Sequence, residues 1–295
     1  MAPTHSTSAQ PGRFWRDRIH APSRGRLWSA IGVALAAVGC APPGPNLPRA
    51  NTDALRVDVP LGAPLNLTLS TLRAGVPGGP RLVLVHGTPG SADAWSDYLL
   101  NPPPGMEVVA LDRPGFGRSG PDRAVPGLKQ QAAAVASLLP RDGRPVVLLG
   151  HSLGGPIVAQ VAVDHPGQVT ALVLLAASLD PAQETIQMIQ HVGAWPLVRS
   201  LLPRAIRNAN AELMALKPEL EALALRLPSV RAKVVIVHGT KDDLVPVANV
   251  PFMQGRLTGT ACVKTVLLEG QNHFLPWNSA DAVRAAVRQA LEPGC

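Results

Sequence analysis

The sequence predicts an α/β fold, a doubly wound and mostly parallel sheet that carries a small helical cap, and three observations predict it. Unbroken Val and Leu runs at 82–85, 146–149 and 234–237 have the character of central parallel strands whose two faces are both covered by helices. Short β-rich runs alternate with helical patterns along most of the chain, as βα units do. Between 175 and 233 that rhythm stops: no strand pattern occurs, and apolar residues recur at helical spacing.

Strands are expected at 65–72, 81–85, 107–111, 145–149, 170–175, 233–237 and 262–268. Helices are expected at about 91–99, 128–139, 152–164 and 281–291. The irregular stretch reads as a cap over 182–227, inserted within about 178–230, and Pro196, Pro203, Pro218 and Pro228 should cut it into short helices. A chain of 295 residues accommodates one such domain, about 53–295, with a buried core. Its 46% hydrophobic and 16% charged content excludes a disordered chain.

The formal charge of +7 is concentrated at the N-terminus. Arg13, Arg16, Arg18, Arg24 and Arg26 oppose Asp17 alone, which leaves about +3 for the remainder. The other basic residues are scattered singly and aromatics are few, so no nucleic-acid partner is expected. Arg24 and Arg26 instead precede an apolar run at 27–38, the length of a secretory signal core and well short of the roughly 20 residues of a spanning helix. The run ends in Ala37-Val38-Gly39-Cys40. Small residues before a cysteine resemble the lipobox of bacterial lipoproteins, although Ala37 stands where Leu is usual. The resemblance implies a signal peptide at 1–39, lipid on Cys40, and a protein anchored to a membrane and facing the periplasm or cell surface. A soluble periplasmic or secreted protein, cut near Gly39, and an uncleaved anchor helix are the alternatives. Residues 40–52 are rich in Pro and Gly and read as a tether. With Cys40 lipidated, Cys262 and Cys295 remain, an even number for an oxidising compartment. Cys262 opens a predicted strand and Cys295 closes the helix that follows it, so the two can pair as a disulfide, the alternative being two unpaired thiols, one buried and one at the chain end.

Gly150-His151-Ser152-Leu153-Gly154 matches G-x-S-x-G between a predicted strand and a predicted helix. That sharp turn exposes a serine hydroxyl, and the helix N-terminus beyond it favours negative charge. Ser152 is therefore the candidate nucleophile. A serine needs a base, and the base an orienting acid. His273 follows the last predicted strand and is the candidate base. Asp242, Asp243 and Asp180 each follow a strand and compete for the acid. The match Gly115-x-Gly117-x-x-Gly120 to a dinucleotide fingerprint is crowded by prolines and opens no helix, so no nucleotide cofactor is expected. His86, His151 and His238 sit at strand ends and read as hydrogen-bonded structural histidines. Neither HExxH nor Cys/His ligand spacing occurs, and no metal is expected.

From about 65 to 291 the chain resembles an α/β-hydrolase fold protein. The matching residues are His86 to Gly90, Asp112 to Ser119, Gly150 to Gly155, His165-Pro166, His238 to Pro246 and His273. The resemblance favours Asp242 as the acid, through the D-x-x-V-P spacing to Pro246. It implies an oxyanion hole from the backbone amides of Leu153 and Thr88, and a site-shaping role for the loop 112–119. It also favours acyl chemistry, because dehalogenases and most epoxide hydrolases of this fold carry Asp in place of the serine. The reading is a serine hydrolase that cleaves a carboxylic ester through an acyl-enzyme. Amide, thioester, carbon–carbon or perhydrolase chemistry by the same residues is the alternative. A non-catalytic binding lipoprotein on a hydrolase scaffold is the reading of another class. Leu197, Leu201, Leu213, Leu216, Leu220 and Leu223 of the cap suit either a lipophilic substrate group or packing of the cap onto the core.

Overall fold

The computed structural model describes residues 50–260 and 262–294. The predicted signal peptide, Cys40, most of the tether and Cys295 lie outside them. After one helical turn at Ala50–Asp53 the elements are β1 (Arg56–Leu61), β2 (Leu67–Gly75), β3 (Arg81–Val85), α1 (Ser96–Leu100), β4 (Glu107–Leu111), α2 (Leu128–Ala136), β5 (Val146–His151), α3 (Gly154–Asp164) and β6 (Ala171–Leu175). The cap follows as α4 (Met188–Ala194), α5 (Pro196–Leu201) and α6 (Arg204–Ala224). The chain then returns to the sheet through β7 (Lys233–Gly239), α7 (Asn249–Arg256), β8 (Val263–Leu268), α8 (Leu275–Asn278) and α9 (Ala280–Leu291).

One sheet holds all eight strands in the order β1-β2-β4-β3-β5-β6-β7-β8. β2 runs antiparallel to both its neighbours, and every pairing from β4 to β8 is parallel. Strand alternation divides the apolar side chains between two layers. Val83, Val85, Leu148, Leu172 and Ile236 pack under α2, α3, α6 and α7. Leu82, Leu84, Leu149, Val173 and Val237 pack under Trp95, Tyr98 and α9. The strand order reverses direction between β3 and β5, and such a switch point opens a crevice at the carboxyl ends of the strands. The loops after β3 and β5 emerge there.

Besides the short helices α7 and α8, which the sequence reading did not single out, two features depart from expectation. β1 escaped the sequence reading because Arg56-Val57-Asp58-Val59-Pro60-Leu61 is an edge strand, mostly exposed and paired only with β2. Such a strand lacks a buried run and tolerates proline. Pro218 does not cut the cap, because α6 continues for 21 residues with Pro218 inside it. Pro218 is exposed, and buried Leu216 and Leu220 on either side fix the helix to the core. Those contacts offset the hydrogen bond that proline removes. The cap leucines also divide. Leu216, Leu220 and Leu223 join the core, whereas Leu197 and Leu201 face outward.

Leu220→Ala should lower the free energy of unfolding by about 2–5 kcal/mol, while Leu201→Ala should change it by about 0.5 kcal/mol or less. Urea unfolding of both variants checks the contrast, and equal losses would contradict this division of the cap.

Candidate active site

β5 ends at His151, and the chain must reverse direction at once to start α3. Ser152 makes that turn with φ +55°, the left-handed region that costs a non-glycine residue about 1–3 kcal/mol. Three hydrogen bonds hold it there: Ser152 N donates to Leu175 O of β6 at 3.0 Å, and Ser152 O accepts from Gly155 N at 2.9 Å and from Ser178 N at 3.4 Å. The turn is tight enough that a Cβ on Gly150 would stand 2.3 Å from Gly154 O. The loop after β3 crosses directly beside the serine, where a Cβ on Gly87 would meet Ser152 Cβ at 2.9 Å. α3 then directs its positive end at this turn.

His273 arrives from the loop between β8 and α8. Its carbonyl lies 3.0 Å from His151 Nε2, and the two rings pack with centroids 4.8 Å apart, so the imidazole stands beside the serine turn. Its Nδ1 lies 2.7 Å from Asp242 Oδ2. The other carboxylate oxygen of Asp242 accepts from Leu244 N at 3.0 Å and Val245 N at 2.8 Å. Burial alone would raise the Asp242 carboxyl. The bond and charge of His273, the Val245 amide and His238 together outweigh burial and hold it below its ordinary value. Of the three acids that compete in the sequence, Asp243 is exposed. Asp180 is occupied as the cap of a 3₁₀ turn, accepting from Ala182 N at 2.9 Å. Only Asp242 of the three pairs with His273.

The remaining histidines are held by backbone. His86 Nδ1 donates to Gly87 O at 2.7 Å while its Nε2 accepts from Arg113 N at 3.0 Å, an arrangement that fits the neutral ring. Burial first, and then the Arg113 charge, pull its pKa well down. His151 is pushed down to about 3, mainly by burial and then by His273. His238 bonds Val245 O at 2.9 Å and is lowered by burial. Among the described residues no group of three metal-ligating side chains stands together.

Thr88 follows Gly87, which lies against Ser152, and Leu153 follows Ser152 in the chain. Neither backbone amide donates to a protein acceptor among the described residues. Thr88 also shows what the sequence reading missed. Its hydroxyl donates to Glu212 Oε2 of α6 at 2.6 Å. Glu212 in turn receives Arg113 Nη1 at 2.7 Å, Arg113 Nη2 at 3.0 Å and Gln131 Nε2 at 3.2 Å. Arg113 continues into the loop after β3, donating from Nε to His86 O and from Nη2 to Gly87 O, both at 3.0 Å. Both members of the pair are buried, at 0% and 2% side-chain exposure. A legible signal existed: Glu212 is the one carboxylate between Glu184 and Glu219 and lies in register with apolar Ala209, Leu216 and Leu220. A carboxylate on the buried stripe of a helix requires a partner.

Over residues 80–199 the chain matches the family model of the alpha/beta hydrolase fold. It is 27% identical to a pimeloyl-[acyl-carrier protein] methyl ester esterase of Aeromonas hydrophila, covering 66% of this chain and 89% of that protein. It is 40% identical over 101 residues to the dihydrolipoyllysine-residue acetyltransferase component of the acetoin cleaving system of Cupriavidus necator, and there it spans 27% of the relative's length. The crystal structure of a membrane phospholipase A superposes with a TM-score of 0.61 at 23% identity, covering 90% of this chain and 94% of that one. The fold is the α/β-hydrolase fold.

Glu212→Ala leaves the Arg113 guanidinium buried without its carboxylate and should destabilise the protein by about 3–5 kcal/mol, whereas Arg113→Met/Glu212→Leu should recover most of that loss. Thermal and urea unfolding of both variants decide it. A cost below about 1 kcal/mol for the single change would show that the pair does not secure the cap.

Proposed function

We propose that the protein is a serine hydrolase that cleaves carboxylic esters through an acyl-enzyme, with Ser152 as nucleophile, His273 as base and Asp242 as orienting acid. The observation that carries this reading is the 2.7 Å contact of His273 Nδ1 with Asp242 Oδ2, set beside a serine held at φ +55°. Ser152 Oγ attacks the ester carbonyl carbon while its proton passes to His273 Nε2. Asp242 holds the Nδ1–H and stabilises the imidazolium that forms. The carbonyl oxygen becomes an oxyanion and takes hydrogen bonds from the Thr88 and Leu153 amides at the positive end of α3. As the intermediate collapses, His273 returns the proton to the departing alkoxide and the alcohol leaves. Water then attacks the acyl group, gives its proton to His273 and releases the acid, and the proton returns to Ser152 Oγ. The residues named in these steps need no cofactor. His151, neutral across the working pH range because its pKa lies near 3, adds no positive charge against the imidazolium.

The reading extends to location. Export, cleavage after Gly39 and lipid on Cys40 are supported by the apolar run at 27–38 and the residues that end it. A disulfide between Cys262 and Cys295 is supported by Lys233, whose Nζ donates to Glu292 O at 3.0 Å and Gly294 O at 2.8 Å. These bonds hold the chain end beside β7, whose Val234 pairs with Val263 at the start of β8.

A fluorophosphonate probe should label the wild type at Ser152 and leave Ser152→Ala unlabelled. The same substitution should lower kcat on short-chain nitrophenyl esters by about four to six orders of magnitude. A folded wild type that neither reacts with the probe nor cleaves any such ester would overturn the enzymatic reading, and faster turnover of amides or thioesters would reassign the bond. Cys40→Ser should move the protein from the membrane fraction to the soluble fraction. Full retention on membranes would point to an uncleaved helix instead.

A further inference from the structure

α4 and α5 contain no fully buried residue, although they and the tryptophan between them hold some of the largest apolar residues of the cap. Met188 is 83% exposed, Trp195 62%, Leu197 75% and Leu201 78%, with Ile186 and Ile189 also exposed. Six apolar side chains thus face outward within sixteen residues of chain. Soluble surfaces scatter such residues singly, and a concentration of them marks a place where something else docks. α4 itself is steadied from beneath, where Asn210 of α6 donates from Nδ2 to Gln190 O at 3.0 Å. The apolar face is therefore presented by a supported element.

Charge identifies the partner. Between Glu184 and Glu212 the cap has no carboxylate, while His191, Arg199, Arg204 and Arg207 lie in that interval. Beside the exposed residues is a cavity of about 620 Å³ whose lining includes Arg123, Arg199, Arg207, Ser200 and Asp122. Asp122 pairs with Arg204 and with Arg207, each at 3.2 Å. Arg123 and Arg199 form no ion pair among the described residues. Arg204 and Arg207 thus share one carboxylate, while Arg123 and Arg199 stand as cations without one among the described residues, at the edge of an apolar surface that includes a tryptophan. Apolar side chains beside arginines match the acyl boundary and the anionic headgroups of a lipid surface, and tryptophan favours that boundary. A second copy of this chain, docked through the same face about a two-fold axis, would bring the two arginine clusters together.

We propose that the exposed face of α4 and α5, with the arginines beside it, docks on an anionic phospholipid bilayer. The contact is independent of the N-terminal segment and of the chemistry at Ser152. Met188, Trp195, Leu197 and Leu201 enter the headgroup–acyl boundary, while Arg123 and Arg199 meet lipid phosphates. The cap is thereby turned toward the membrane.

The test uses the full chain carrying Ser152→Ala, so that failure of the hydrolase reading leaves the binding result intact. Sedimentation with phosphatidylcholine vesicles, with or without phosphatidylglycerol, is compared with that of the same chain bearing Trp195→Ser/Leu197→Ser/Leu201→Ser or Arg123→Glu/Arg199→Glu. The N-terminal segment is common to all forms, so only differences between them report the cap. The substituted side chains are largely exposed, and thermal unfolding verifies that each variant remains folded. Addition of phosphatidylglycerol should tighten binding of the parent by about tenfold or more, an effect that each variant loses and that added salt weakens. The emission of Trp195, isolated by subtraction of a Trp195→Phe spectrum, should shift to the blue with the anionic vesicles. Identical binding of parent and variants, or indifference to lipid charge, overturns the proposal. So does concentration-dependent self-association that the same substitutions abolish, since that would assign the face to a second copy.

Discussion

The structure turns on the buried bidentate pair between Arg113 and Glu212. Arg113 belongs to the loop that follows β4, Glu212 to the cap helix, and between them they hold the carbonyls of His86 and Gly87 and the hydroxyl of Thr88. Three segments distant in sequence are thus fixed at one point behind the serine turn. Such a pair sits badly in an apolar interior unless its remaining hydrogen-bonding capacity is filled. Here Gln131, Thr88 and two backbone carbonyls fill much of it. The position of the Thr88 amide is therefore set by the cap as much as by the sheet.

Around the serine the same economy of charge recurs. His86, His151 and His238 are all pulled below the ordinary histidine pKa, with burial the largest cause of each shift. Each is held by backbone atoms. They supply shape and hydrogen bonds without adding positive charge. Asp242 is held ionised by the groups around it and is the carboxylate placed against His273. A proton passed to that imidazole would consequently find one fixed negative partner and no competing cation among its histidine neighbours.

Much of this was legible in the sequence because local rules and global fold agree there. The parallel strands β3 to β7 are continuous apolar runs, and Gly150 to Gly154 reads correctly since the bend leaves no room for a Cβ at Gly150. Asp242, His273 and Thr88 lie in loops after β7, β8 and β3 as the sequence placed them, whereas Leu153, expected inside a helix over 152–164, sits in the turn before α3. What stayed hidden depends on partners far along the chain. β1 is a strand only because β2 supplies its hydrogen bonds. α6 survives Pro218 because the core grips Leu216 and Leu220. The role of Glu212 requires Arg113, which is 99 residues away in sequence. The cap leucines could not be sorted for the same reason, since helical periodicity is identical for a face on the core and a face in water.

The contrast within the cap has a further meaning. α6 is bound at both ends of its buried stripe, by Glu212 to the loop behind the serine and by Leu216, Leu220 and Leu223 to the core. α4 and α5 contain no fully buried residue. The two parts are therefore tied in very differently, for α6 contacts Arg113, Thr88 and the core, whereas the residues of α4 and α5 are half-buried or exposed. Two short helices that touch the rest through few half-buried residues and one side-chain hydrogen bond place few packing demands on their outward side chains, so the scaffold holds a segment whose surface can vary in sequence with little cost to the core.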